Sequence, residues 1–211
     1  MPEPIYNLDS IVYGVKTIPA LKYMIFNGYD YFDTGIVKEG YHYYFAKKDV
    51  GKLNNDTKDD LLTNGYGWGM VRTYGHLLNG KTVDMIHTWF DDKGFTKYIE
   101  ADNKTRLEPE DDIAHIAMGG FWRMPTVADY TMLTQLGHKS DGKHMVFTNT
   151  EGDFMEFNLT SDDGFYWTSD LCPKGYTSAY KFVPENVSVE TEDRISPLRV
   201  RGIVVLPEIE E

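Results

Sequence analysis

Gly119-Gly120-Phe121-Trp122-Arg123-Met124-Pro125-Thr126-Val127-Ala128-Asp129-Tyr130-Thr131-Met132-Leu133-Thr134-Gln135-Leu136-Gly137 is the stretch whose reading decides the fold. Its second half carries the signals of a helix with defined ends. Thr126 stands where a cap residue belongs. Asp129, three residues on, reaches back to the cap amide in a variant of the capping box that usually employs Glu or Gln. Val127, Tyr130, Leu133 and Leu136 fall on one face, and Gly137 supplies the stop. Ahead of the cap, Gly119-Gly120 let the backbone bend, and Trp122 and Met124 flank Arg123 at strand spacing. An arginine set between core residues requires a fixed acceptor, because an unpaired buried charge is very unfavourable. The stretch reads as a structural corner in which Arg123 answers a buried carboxylate or carbonyl. Arg123→Ala is then expected to destabilise the fold by roughly 3–5 kcal/mol.

Just upstream, residues 108–118 predict a short helix. Pro109 and the acids Glu108, Glu110, Asp111 and Asp112 sit at its positive N-terminal end, and Ile113, Ile116 and Ala117 supply its buried stripe. Residues 64–75 alternate glycine with aromatics, a loop that either packs its rings over a core edge or offers them to a ligand. Residues 49–64 turn polar and read as a surface excursion, and residues 29–45 are aromatic and strand-like. The first 28 residues read as a small β arm suited to docking. Ile11-Val12-Tyr13 and Leu21-Lys22-Tyr23-Met24-Ile25-Phe26 are its strands, punctuated by Gly14, Pro19 and Asn27-Gly28. Downstream, strands are expected at residues 145–148, 154–159, 165–169, 179–183 and 199–206. Turn signals at Gly142, Glu151-Gly152, Asp162-Asp163-Gly164 and Pro173-Lys174-Gly175 separate most of them. Two short helices followed by an antiparallel meander make an α+β fold. The expected organisation is an arm over 1–28, one domain over 29–207 and an acidic tail over 208–211.

In a chain of 211 residues, 41% hydrophobic and 14% aromatic content is enough for a real core. A formal charge of −12 argues against nucleic acid, which needs a basic patch, and against anionic membrane surfaces. The longest apolar runs, such as residues 203–206, are too short to insert across a bilayer. The single cysteine, Cys172, excludes an intrachain disulfide. The opening Met1-Pro2-Glu3-Pro4-Ile5 has neither a basic region nor an apolar one, so no signal peptide is expected. Such a protein stays in the cytosol or leaves without a signal, for example in a particle released by lysis.

Gly75-His76-Leu77-Leu78-Asn79-Gly80-Lys81-Thr82 matches the phosphate-loop pattern, in which backbone amides cradle phosphates, the lysine reaches the terminal ones and the threonine holds magnesium. Its context is poor. A glycine-aromatic loop precedes it where a buried parallel strand belongs, two leucines fill the wrapping segment, and Asn79-Gly80 is an ordinary turn signal. The six histidines are scattered without zinc spacing. Asp91-Asp92, Asp111-Asp112 and Asp162-Asp163 offer oxygen ligands for calcium but no loop of alternating ligands. No nucleophile elbow is present, Ser169 has no base partner in the sequence, and Cys172 reads as a free thiol.

Several segments together resemble a known family. Asp102-Asn103-Lys104-Thr105-Arg106-Leu107-Glu108-Pro109-Glu110-Asp111-Asp112-Ile113-Ala114-His115, followed by Gly119-Gly120-Phe121-Trp122-Arg123-Met124-Pro125-Thr126, is similar to the Fibrobacter succinogenes major paralogous domain. That family is common in Bacteroidetes and related to the C-type-lectin-like folds that include the formylglycine-generating enzyme. Tyr31-Phe32-Asp33-Thr34-Gly35-Ile36, Tyr66-Gly67-Trp68-Gly69, Tyr166-Trp167-Thr168-Ser169-Asp170 and Arg199-Val200-Arg201-Gly202-Ile203-Val204-Val205-Leu206-Pro207 resemble further family segments in order. Leu206 departs from the arginine often found before the final proline, and the stretch between Gly137 and Gly164 is shorter than usual.

The resemblance implies a C-type-lectin-like fold over about residues 29–207, with surface display and a binding or structural role. It does not imply oxidase chemistry, since the oxidase relative uses paired cysteines. Trp122, Arg123, Pro125 and Thr126 become the family's internal staple. Ligand contacts carried over from lectin-like relatives fall on Tyr166, Trp167, Ser169, Tyr176, Ser178 and Tyr180. The expected function is non-enzymatic: a phage virion component, a head or tail decoration or fibre, that binds a host-surface glycan or protein. It is expected to form a homo-oligomer and to associate with other structural proteins of the particle. The alternatives are a bacterial cell-surface adhesin or lipoprotein domain and, from another class, a nucleotide-binding enzyme acting through Gly75–Thr82. No cofactor is expected, with calcium as the one candidate ion.

Overall fold

A central strand, β2 (Tyr41–Asp49), is flanked by β1 (Tyr31–Lys38) and by the closing strand β13 (Arg201–Pro207) in one antiparallel sheet. The computed structural model describes residues 24–51, 65–71, 77–78, 81–82, 87–159 and 164–208. The strand read at Ile11-Val12-Tyr13, most of the polar excursion, Asp162-Asp163 and nearly all of the acidic tail lie outside the described residues. β1 and β2 join through Glu39 and Gly40, with φ of 54° and 76°, the left-handed pair that matches hairpin twist. Strand alternation sends Phe32, Phe45 and Ile203 into the interior.

A second sheet runs β10 (Tyr166–Leu171), β11 (Ser178–Val183), β12 (Ser188–Asp193), and a third runs β7 (Gly137–Ser140), β8 (His144–Thr148), β9 (Phe154–Asn158). The five downstream strands expected from the sequence are all present. The last begins at Arg201, because Arg199 forms a parallel bridge with Tyr166 and joins the first sheet's approach to the second. β7 and β12 were not expected. Mostly antiparallel sheets with a few short helices make the α+β class.

Two helices connect these sheets: α1 (Ile113–Met118) and α2 (Val127–Met132). Asp112 caps α1, its Oδ1 accepting from the amides of Ala114 and His115 at 2.9 and 3.1 Å. Its Oδ2 accepts from Met124 N at 2.7 Å, so one carboxylate joins α1 to the corner. The buried stripe of α1 is Ile113, Ala114 and Met118, whereas Ile116 and Ala117 face solvent. The expected stripe is corrected because the face of α1 is set by its seat on β13, where Met118 lies over Gly202. α2 has the expected capping box. Thr126 Oγ1 accepts from Asp129 N at 3.1 Å, and Asp129 Oδ2 accepts from Thr126 N at 2.7 Å. Its end differs from expectation: the chain tightens into a 3-10 turn at Leu133–Gln135, and Gly137 opens β7.

Two aromatic-rich cores result. One gathers Trp68, Trp122, Trp167 and Tyr98 beneath α1, and the other gathers Phe45, Tyr130, Phe147, Phe157 and Phe182 beneath α2. Tyr130 stacks on Phe182 with centroids 4.4 Å apart. The corner is stitched to β13 by reciprocal bonds, Arg123 N to Ile203 O at 3.0 Å and Ile203 N to Arg123 O at 2.8 Å. Buried Arg201 ties β2 to β9, donating to the carbonyls of Ala46, Lys47 and Glu156. Its Nη2 also lies 2.6 Å from Asp49 Oδ1, a buried ion pair.

Residues 24–26 are helical and not strand, which corrects the second half of the strand read over 21–26. Ile25 and Phe26 are buried in the first core, so residues 24–28 pack with the domain and not as part of a separate arm.

Candidate functional site

The six residues expected to contact ligand separate into three places. Tyr166 and Trp167 have no solvent exposure and Ser169 has 3%, which removes all three as surface contacts. β10 is covered on both faces, so a buried strand stands where an exposed recognition segment was expected. Trp167 Nε1 donates to Tyr66 O at 2.6 Å, and Tyr166 belongs to the second core. Ser178 and Tyr180 are half-buried on β11. Burial and the neighbouring Cys172 thiol push the Tyr180 phenol pKa up. Of the six, Tyr176 alone lines the cleft that the described residues form between residues 93–100 and 173–177.

This cleft has a volume of about 360 Å³, within the range of small-molecule sites. One wall comes from the hairpin of β5 (Phe90–Asp91) and β6 (Gly94–Phe95) and from the 3-10 turn Glu100–Asp102, and it presents Lys93, Phe95, Ile99 and Glu100. Asp91 Oδ1 accepts from Lys93 N at 2.8 Å and closes the hairpin, and Asp102 Oδ2 accepts from Ile99 N at 3.1 Å. The facing wall is the loop between β10 and β11, presenting Pro173, Tyr176 and Thr177. Gly175 and Tyr176 follow one another in the left-handed region, with φ of 87° and 58°. For a bulky aromatic residue that conformation is a genuine outlier, and such strain concentrates at functional sites. The side chains of Lys93, Glu100, Tyr176 and Thr177 have no hydrogen-bond or ion-pair partner among the described residues. An ammonium, a carboxylate and two hydroxyls therefore border a partly apolar surface with their bonding capacity unused.

Behind the cleft lies an aromatic box of Trp68, His87, Trp89, Phe95 and Tyr98 around Arg194. The Arg194 guanidinium carbon sits 3.9 Å from the Phe95 ring centroid, with no carboxylate at ion-pair distance among the described residues. Its Nη1 donates to Tyr98 O and Tyr176 O at 3.2 and 3.0 Å, and its Nη2 donates to Lys97 O at 2.9 Å. Burial lowers its pKa to about 10, so it stays charged at neutral pH. His87 Nε2 lies 3.0 Å from Trp68 O and its Nδ1 accepts from Trp89 N at 3.2 Å, the pattern of a neutral ring. Burial pushes the His87 pKa down to about 4. Composition and spacing did not single out Phe95, Ile99 or Arg194. Tyr176 was reached only through the family resemblance.

The other sequence candidates resolve differently. Lys81–Thr82 form a short strand, β4, pairing antiparallel with Leu77–Leu78, β3, while the rest of the phosphate-loop match, Gly75, His76, Asn79 and Gly80, lies outside the described residues. A phosphate loop needs its lysine and threonine to open a helix, and here both stand in a strand. Carboxylate oxygens of Glu108, Glu110 and Asp111 lie within 4.8 Å of one another. Asp111 accepts from Lys97 and from the Tyr98 hydroxyl, and Glu108 is paired with Lys104, so two of the three are already neutralised. Asp112 is consumed by capping α1 and Asp91 by its own turn. Trp122 is fully buried with Nε1 donating to Phe26 O at 2.8 Å, Arg123 pairs with Asp129, and Thr126 caps α2, so these corner residues are structural. Pro125 is buried beside them, its carbonyl accepting from Ser169 N at 2.8 Å. Comparison of the chain with family models, with curated proteins and with solved structures finds no match.

Proposed function

We propose that the chain is a non-enzymatic recognition module of C-type-lectin-like fold whose ligand seat is the cleft between residues 93–100 and 173–177. The observation that carries this reading is Tyr176, a strained left-handed tyrosine whose half-exposed ring lines a cleft bordered by four uncommitted polar side chains. A large, stiff aromatic with a polar tip, beside a carboxylate and an ammonium, suits a host-surface glycan. The fold assignment draws support from the opening and closing strands sharing one sheet and from the Trp-Arg-Met-Pro-Thr corner bridging onto the closing strand. The setting, a virion surface or otherwise a bacterial cell surface, rests on the family resemblance alone.

The test is a glycan array probed with the full chain, with Tyr176→Ala and with Lys139→Ala, an exposed residue on β7. Tyr176→Ala is expected to weaken binding of any retained glycan by about thirtyfold or more, while Lys139→Ala binds normally. Failure of the unaltered chain to retain any glycan, or equal retention by Tyr176→Ala, would sink the reading.

A further inference from the structure

We propose that Arg194 is the positioning residue of this cleft, one buried guanidinium that holds two strained tyrosines, one in each wall, and fixes the spacing between the walls. The proposal rests on reading the cleft as the ligand seat. Tyr98 and Tyr176 are both non-glycine residues in the left-handed region, at φ of 55° and 58°. Tyr98 leads directly into Ile99 and Glu100 of one wall, and Tyr176 belongs to the other. The carbonyl oxygens of both accept from the same nitrogen, Arg194 Nη1, while Nη2 takes Lys97 O. The backbone of Arg194 adds a fourth hydrogen bond, its amide donating to Thr177 O at 3.1 Å. Phe95, which lines the cleft, has its ring centroid 3.9 Å from the guanidinium carbon.

Stability alone gives a weak reason for a charge at this position. Arg194 is completely buried and, among the described residues, has no carboxylate at ion-pair distance and leaves its Nε hydrogen unpartnered. Apolar residues generally do as well or better in such a place. What they lack is a rigid planar fork with several donors, and lysine lacks it too, having a single flexible ammonium. Conformations in sparsely populated backbone regions persist only where their surroundings over-determine them. Arg194 supplies that constraint to both walls at once. A ligand then meets a cleft already set to width, without having to order two loops on binding.

The experiment is backbone amide exchange followed by NMR on the full chain and on Arg194→Lys. The reporters are the amides of Cys172 and Gly175 in one wall and of Asp102 and Asn103 in the other, all hydrogen-bonded locally. Both pairs are expected to lose protection by about tenfold or more in Arg194→Lys. Met145 and Phe157, paired across β8 and β9, are expected to keep theirs. Loosening of neither wall, or of one wall only, overturns the proposal. Should Arg194→Lys fail to fold, Tyr176→Gly decides. It keeps the carbonyl that Arg194 holds and removes the ring and its left-handed strain, so Asp102 and Asn103 should stay protected. If they exchange faster, the ring and not the guanidinium joins the walls, and the proposal falls. None of these readouts involves a ligand, so a negative glycan array would remove the seat and leave the clamp standing.

Discussion

Arg123 donates from Nη1 to Asp129 Oδ2 at 2.7 Å, yet its side chain keeps 37% of its exposure while Asp129 keeps 7%. The sequence pattern placed Arg123 between core residues and implied a penalty of a fully buried pair. Water already reaches the guanidinium, and loss of the cation leaves Asp129 its bond from Thr126 N. Arg123→Ala should therefore destabilise by about 1 kcal/mol. Asp129→Ala, which also removes the cap partner, should cost about 1–2 kcal/mol. Urea denaturation of the two variants checks the order, and a larger loss in Arg123→Ala would contradict it. His87 makes the pH prediction. The unfolded chain binds a proton near pH 6.5 that the folded chain refuses until about pH 4. Stability is therefore fully present above about pH 6.5 and falls as pH drops towards 4, by a total of roughly 3 kcal/mol from this residue. His87→Gln, which cannot titrate, should lose about 2–3 kcal/mol less than the unaltered chain between pH 7 and pH 4.5. Parallel urea titrations at the two pH values measure that difference.

At the scale of elements, the contact between α1, the corner and β13 turns on Gly202. A β-carbon there would stand 2.7 Å from Met118 Sδ and 2.9 Å from Trp122 Cε3. The methionine tip can swing aside, but the buried indole cannot. Gly202→Ala is expected to destabilise by about 1–3 kcal/mol through overpacking. A combined Met118→Ala change should recover little of that loss, which thermal unfolding of the single and double variants would show. Local signals made this part of the fold legible. The box at Thr126 and Asp129 lies within one turn of chain, and the glycine turns between strands declare themselves by composition. The stripe of α1 was not legible, since six residues are too few for a period to fix a face. β7 and β12 were missed for a different reason. Gly-His-Lys-Ser and Ser-Val-Glu-Thr-Glu-Asp are polar edge strands, held in the sheets by backbone pairing without alternating apolar residues. The cleft was less legible still. Its walls lie about eighty residues apart in the chain, joined by an arginine that follows two acids and reads in sequence as surface.

At the scale of the whole molecule, the corner organises more than its own neighbourhood. Gly119 and Gly120, with φ of 69° and 59°, bring the backbone against residues 24–27. Asn27 Nδ2 donates to Met118 O at 2.6 Å, and Phe26 O accepts from the Trp122 indole at 2.8 Å. The Phe26 ring stacks on Tyr31 at 3.9 Å and lies tilted against Trp122, with centroids 5.9 Å apart. The segment read from sequence as the end of a docking arm thus closes one side of the first core and satisfies the nitrogen of a buried tryptophan. Phe26→Ala is expected to destabilise by about 3–5 kcal/mol, the range for a buried aromatic, and Met24→Ala, half-exposed at the same turn, by less than about 0.5 kcal/mol. A chain beginning at residue 29 loses Ile25 and Phe26 together and leaves the Trp122 Nε1 hydrogen without an acceptor. Against a net stability of about 5–15 kcal/mol for a typical domain, that combined loss should leave the shortened chain largely unfolded. Near-ultraviolet circular dichroism, which reports the packing of Trp122 and its aromatic neighbours, is the measurement that decides. A shortened chain with an unchanged near-ultraviolet spectrum and cooperative unfolding would show that residues 24–28 decorate the domain and do not build it.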